Sequence, residues 1–234
     1  MSERYFVIGL GQFGYHLALS LTQTGAEVVA IDTKMDIVEH IKDEVSQSIC
    51  MDASREENLK TLSIDEDDIV LVTIGEDDLE NSILTTALLA QFRSKKLVAR
   101  ATNDLHRKIL KIVGADEIVN PEKDLAERIA QRIVQRGLVD IIPLSGDYAM
   151  SEIMAPSQFV GQTLVGLNLR NTYGLNVIAI KHKVRKFVEG TETEEEELLT
   201  HNPHPSTFIQ ERDILVCIGT IEDIERIANI CNKT

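Results

Sequence analysis

The sequence is short of positive charge. Against 38 Asp and Glu stand 24 Lys and Arg, a formal net charge of −14 with histidine neutral. A nucleic-acid binder needs a basic face for its phosphate contacts, so that class is set aside. Long apolar runs are missing too. None approaches the ~20 residues that span a bilayer, and Met1-Ser2-Glu3-Arg4-Tyr5 lacks a signal-peptide apolar core. Direct membrane insertion is therefore not expected. Cysteine is scarce: Cys50, Cys217 and Cys231 are odd in number and widely spaced. This excludes a disulfide framework or a metal-ligand spacing, and fits a reduced, cytoplasmic chain whose thiols are small buried hydrophobes. Also absent are a G-x-S-x-G elbow, a nucleophile with a matched base, and a Walker lysine after a glycine loop. What is plentiful is apolar side chain, 43% of the sequence, which supplies a core and excludes global disorder. The length suits one domain or two small ones, at roughly 100–200 residues per domain.

The first half alternates short apolar runs with amphipathic stretches. Strands are expected over 5–9, 27–32, 48–52, 69–74, 97–101 and 117–120. Helices are expected over 13–21, 36–45, 79–92 and 105–113. The runs are apolar on both faces, as strands covered by helices on both sides should be. Strand-helix alternation at this spacing means βαβ units and a parallel, doubly wound sheet. A further helix is expected over 125–138, with Asp124 as N-cap and Gly137 as stop. Its apolar stripe can pack on the sheet or on a second subunit. After Pro143 the pattern changes: strands over 148–155, 177–183, 185–189 and 214–218 and short helices over 164–169 and 221–230 make a small α+β unit. The dense acidic block over 190–197 reads as a solvated loop.

Gly9-Leu10-Gly11-Gln12-Phe13-Gly14 is G-x-G-x-x-G, placed after the first strand and opening the first helix. Gly9 permits the tight turn, Gly11 lets backbone approach a phosphate, and Gly14 lets helix and strand pack closely. The helix N-terminus offers free N–H groups and a positive dipole end. Asp32 ends the second strand and would accept hydrogen bonds from ribose hydroxyls while repelling a 2′-phosphate; Thr33 follows it. NAD(H), AMP, ADP or ATP is therefore favoured over NADP. Asp52 ends the third strand, followed by Ala53, within reach of an adenosine or as the cap of a helix near Arg55. Ile74 and Gly75 end the fourth, across the crevice where ligands bind in this architecture.

A dehydrogenase would also need a substrate site and a positioned acid or base. His16 and His40 fall on helices, His106 starts one, and His182 sits among basic residues. His201 and His204 lie near the acidic block with no third metal ligand at a diagnostic spacing. No catalytic residue emerges. The chain reads as a nucleotide sensor with an appendage.

These motifs carry a family resemblance. Residues 6–14, Ala30-Ile31-Asp32, Thr73-Ile74-Gly75-Glu76, and Val113-Gly114-Ala115-Asp116 with Pro121-Glu122 resemble the KTN (RCK-N) domain of regulatory subunits of Trk/Ktr potassium uptake systems. The stretch over 169–180 is similar to the companion RCK-C (TrkA-C) domain, and a single N/C pair is the Ktr arrangement. The fold expected is thus α/β, a Rossmann-like RCK-N domain with a crossover helix over 1–140, then a small α+β RCK-C domain over 141–234. The resemblance implies a non-enzymatic cytoplasmic subunit at the inner face of the cell membrane. It would form homodimers that assemble into an octameric ring, and gate a membrane potassium translocating subunit according to the nucleotide bound. Gly9, Gly11, Gln12, Phe13, Gly14, Asp32, Thr33, Asp52, Ala53, Ile74, Gly75 and Arg100 match its nucleotide positions. Glu122 matches an acid that holds a divalent cation at the dimer interface in some relatives. Leu169, Arg170, Asn176, Val177 and Pro203 match a pocket for cyclic di-AMP. Many Ktr-like sequences carry arginine where Gln12 stands; glutamine keeps hydrogen bonding but loses the charged fork. ATP/ADP and NAD/NADH both stay open as cofactors. An NAD-dependent oxidoreductase, or a regulator of another cation transporter, is the alternative function.

Overall fold

The computed structural model describes residues 3–75, 78–134, 137–188 and 191–231, with backbone only for 183–188, 191–197 and 231. Glu76 of the resemblance motif, Glu189, Gly190 and the Cys231 side chain lie outside the described residues. Packing divides the chain into two units, Met1–Lys123 and Asp124–Thr234.

The first unit holds a six-stranded sheet: β1 (Arg4–Ile8), β2 (Glu27–Asp32), β3 (Gln47–Cys50), β4 (Ile69–Val72), β5 (Lys96–Arg100) and β6 (Glu117–Val119). Their order across the sheet is β3-β2-β1-β4-β5-β6, all parallel. The strand order reverses between β1 and β4, which opens a crevice at their carboxyl ends. Connecting helices are α1 (Gln12–Gln23), α2 (Met35–Ile41), the single turn α3 (Glu56–Leu59), α4 (Leu79–Leu89) and α5 (Asp104–Val113). Apolar residues point both ways from the central strands. Phe6, Ile8, Val70 and Val72 join Leu59, Leu89 and Leu110 in one core; Val7, Val28 and Ala30 join Ala18 and Ile41 in the other. Two buried faces explain the unbroken apolar runs. Truncating Phe6, 1% exposed, to Ala would cost about 3–5 kcal/mol.

The amino end of this sheet is closed by charge. Asp68, fully buried, receives Arg4 Nε at 3.1 Å and Arg4 Nη2 at 2.6 Å, together with the backbone N–H groups of Arg4 and Asp65. The Asp68 carboxylate in turn holds the Arg4 guanidinium above its ordinary range.

The helix expected over 125–138 is instead α6 (Pro121–Val134). Asn120 caps it, its Oδ1 accepting the Lys123 N–H at 3.1 Å, and proline stands at the first helical position, where its missing N–H costs nothing. Asp124 is thus not the cap. None of the α6 side chains is buried: Leu125, Ile129 and Ile133 stay exposed one turn apart.

The second unit is an antiparallel sheet in the order β10-β9-β11-β8-β7. Its strands are β7 (Leu138–Ser145), β8 (Tyr148–Met154), β9 (Asn176–Val188), β10 (Thr191–His201) and β11 (Ile214–Thr220). Because β7 starts at Leu138, the last residues of the first domain expected over 1–140 lie in this sheet. The helices are α7 (Leu164–Leu167), α8 (Leu169–Tyr173) and α9 (Ile221–Cys231). Ile224, Ile227 and Ala228 of α9 pack on Ile153, Ile180, Leu215 and Cys217. Burial pushes the Cys217 thiol up to about 12, as a small buried hydrophobe requires. Two expectations are corrected. The strands expected over 177–183 and 185–189 are one, and the acidic block is not a loop: β10 pairs along β9, with Glu195 opposite Arg185 and Glu197 opposite Lys183.

Candidate functional site

The loop from β1 into α1 is shaped by three glycines that answer to different neighbours. Gly9 has φ of +96°, in the region that favours glycine, and its N–H donates to Ile31 O at 2.8 Å. At Gly14 a Cβ would lie 1.9 Å from Gly9 O and 2.5 Å from Thr73 Oγ1; no other residue fits between helix and strand. Thr73 clasps the turn, its hydroxyl donating to Gly9 O at 2.6 Å, a role that sequence reading missed. Gly11 differs. Its φ of −62° suits any residue, and a Cβ there would meet nothing within 4 Å. The fold does not ask for glycine at this position.

Gly11 is also the N-cap of α1, and the helix start has neither a side-chain cap nor an acid in its first turn. Its free N–H groups and dipole end therefore face outward uncompensated.

Around this turn the carboxyl ends of β1 to β4 form one crevice. It brings together Gly9, Gly11, Asp32, Thr33, Asp52, Ala53, Ile74 and Gly75. Ile8, Ile31 and Met51 add apolar wall; Lys34, Ser54, Asp78, Asn81 and Thr85 add polar groups not anticipated from sequence. The signal for the last three was the start of a helix after β4, at the point where the strand order reverses.

Asp32 accepts the N–H of Leu10 at 2.7 Å on one oxygen and that of Lys34 at 2.8 Å on the other. It thereby ties the glycine turn to the end of β2, and a carboxylate has further lone pairs to offer. Asp52 accepts the Ser54 hydroxyl at 2.6 Å and N–H at 3.0 Å, and Arg55 Nε at 3.2 Å. The Ser54 hydroxyl first, then its N–H, and Arg55 behind them hold Asp52 below the usual carboxylate range. Asp52 thus shapes the turn into α3, and its residue lines the crevice as well.

Gln12, Phe13, Gly14 and Arg100 fall outside the crevice lining. Gln12 lies in a neighbouring hollow with Tyr15, His16 and His40. Arg100 pairs with Glu122 and sits over the Phe13 ring, 5.6 Å from its centroid. Within one chain, the residues around Glu122 do not suit a divalent cation. Its carboxylate is engaged by Arg100, and among the described residues no group of three or more His, Cys, Asp or Glu could hold a metal. His106 is buried, its backbone N–H donating to Asn103 Oδ1 at 2.9 Å, and burial lowers its pKa. His182 bonds Asp213 at 2.8 Å, and His204 bonds Ser206 at 2.7 Å.

A doubly wound sheet with this loop occurs in several families, so comparison with known proteins decides among them. The TrkA-N domain family matches residues 5–121. The chain belongs to the TrkA-N domain family. Among TrkA-N relatives, the Ktr system potassium uptake protein C of Bacillus subtilis (strain 168) is 37% identical over 97% of this chain and 96% of its own length. Protein A of the Ktr system in the same organism is 32% identical, again over 97% and 96%. In three dimensions, the crystal structure of the GsuK RCK domain aligns with a TM-score of 0.60 at 18% identity. It covers 97% of this chain and 48% of that one, a likeness of fold.

The second unit of this TrkA-N protein has its own hollow. It gathers all five residues expected there, Leu169, Arg170, Asn176, Val177 and Pro203, with Leu164, Val165, Asn168, Leu175 and Pro205. Asn168 takes a left-handed backbone, φ 45°, between α7 and α8. No helix among the described residues is long and apolar enough to cross a membrane.

Proposed function

We propose that the chain is the regulatory subunit of a potassium uptake system, and that it senses an adenine nucleotide in the crevice beside Gly11. The observation that carries the nucleotide is Gly11 itself. The chain's own atoms leave the space beside it open, so a glycine is needed there only for something outside the chain to approach the backbone. A phosphate fits: α1 presents uncapped N–H groups at that point. Asp32 and Asp52 supply acceptors for ribose hydroxyls. Phe13 and Arg100 act from behind the loop, and Gln12 from beside it. The potassium role rests on the Ktr relatives, alike over nearly their whole length.

In this reading the protein binds and does not turn over. A ligand moves a gate only by its differential affinity for two states of the assembly, and ATP and ADP differ by the γ-phosphate. The exposed apolar stripe of Leu125, Ile129 and Ile133 on α6 suits burial against a second copy. A homodimer, built into a ring beneath a membrane potassium translocating subunit, would cover it. There α6 serves as the crossover element of the first domain, and the protein sits in the cytoplasm, peripheral to the membrane. The hollow holding Arg170 and Asn176 is the proposed seat of cyclic di-AMP. NAD(H) is the second reading of the crevice, favoured by glutamine at position 12 in place of an arginine fork.

Calorimetric titration of the full chain with ATP, ADP, NADH and cyclic di-AMP tests both seats. Binding by an adenine nucleotide without turnover is expected. Absence of binding by all four ends the sensor reading, and substrate-dependent oxidation of bound NADH would make the chain an oxidoreductase.

A further inference from the structure

The polar wall that α4 gives the crevice has a defined orientation. Asp78 is the N-cap of α4; its Oδ1 accepts the Asn81 backbone N–H at 3.3 Å, and its Oδ2 accepts the Asn81 side-chain amide Nδ2 at 2.7 Å. A carboxylate can only accept, so the atom against Asp78 must be the amide nitrogen. That settles which way round the carboxamide stands. The nitrogen is engaged, and among the described residues Oδ1 of Asn81 takes no hydrogen bond. Asn81 is half-buried and lines the crevice. One turn further on the same side of α4, the fully buried Thr85 hydroxyl has no partner among the described residues. Asn81 thus brings an unanswered oxygen to a crevice whose lining also holds the apolar Met51 and Ile74, suited to a flat ring.

Building on the nucleotide reading above, we propose that Asn81, with Asp78 as its positioning residue, selects the base. Its Oδ1 accepts from the C6 amino group of adenine. The same oxygen meets an acceptor, the C6 carbonyl, in hypoxanthine or guanine. The amide cannot turn to suit them without breaking its bond to Asp78. Adenine is thereby preferred, and the preference comes from an opposed lone pair rather than from shape.

Titration of the full chain with ADP and with inosine diphosphate isolates this edge, because ribose and phosphates are common to both. ADP should bind about tenfold tighter. In Asn81→Ala the ratio should fall to within about twofold; the Asn81 backbone N–H still meets Asp78, so α4 keeps its cap. In Asp78→Ala the freed amide can rotate, and the ratio should fall because inosine diphosphate gains. If the wild type prefers NADH to ADP, NADH and its hypoxanthine analogue give the same comparison. Equal binding of the two bases by the wild type, or an unchanged ratio in Asn81→Ala, overturns the base assignment and leaves the nucleotide reading standing. A wild type that binds neither base in either form overturns both.

Discussion

The two ends of β1 and β4 treat polar groups in opposite ways. At the amino end, the buried Asp68 carboxylate is answered in full from within the chain by Arg4 and two backbone N–H groups. At the carboxyl end, Gly11 borders open space, the start of α1 is uncapped, and the Asn81 carbonyl has no partner among the described residues. A buried polar group left unmet costs about 1–3 kcal/mol, so the first end is built for stability, whereas the second leaves its polar groups open, as the proposed nucleotide seat requires. The same parallel sheet serves both needs because its two ends are chemically separate.

Several substitutions would separate these roles, the most disruptive first. Gly14→Ala drives a methyl into Gly9 O and should cost about 3 kcal/mol or more of folding stability, read as a fall in urea midpoint; it erases the distinction by damaging turn and ligand seat together. Asp68→Asn should break the closed end alone, with a loss of about 1.5–3 kcal/mol in stability and no change in nucleotide affinity by calorimetry. Asp32→Ala should weaken nucleotide affinity by about 1.5–3 kcal/mol; unaltered affinity would remove Asp32 from the ribose contact. Gly11→Ala breaks the open end alone. Stability should stay within about 1 kcal/mol, while affinity drops at least about tenfold because the methyl stands where the proposed nucleotide's phosphate would approach. A variant that binds as well as wild type would leave the open space beside Gly11 without a purpose.

The smallest effect is a pH dependence. Burial lowers the pKa of His106 from its ordinary 6.5. The unfolded chain therefore binds the proton more readily than the folded one, and stability rises with pH across that range. The contribution is present in full above 6.5 and declines as pH falls from there through the lowered folded value. Thermal scans between pH 5 and 7.5 should show this slope in the wild type and a flatter one in His106→Gln.

Much of the first unit was legible in the sequence. All six parallel strands stand within two residues of the expected ends, because burial on both faces leaves near-continuous apolar runs. The crevice was legible in part. Gly9, Gly11, Asp32, Asp52 and Gly75 announce themselves by position after strands. Asn81 and Thr85 sit in an ordinary-looking helix, and only the folded sheet brings them to the crevice. The second unit was harder. The charge of β10 hid a strand, since an acidic run reads as solvent-loving until the basic residues of β9 are known to lie across from it. Asp124 resembles a helix cap in sequence, yet Asn120-Pro121 is itself a start signal, and the helix begins there.

The thiol of Cys217, closed inside the central strands of the second sheet, gives that unit a clock. Held near 12 against an ordinary 9.0, it forms about a thousandfold less thiolate in the folded sheet than in an opened one. Alkylation at that position, followed peptide by peptide, therefore reports the opening of the second sheet.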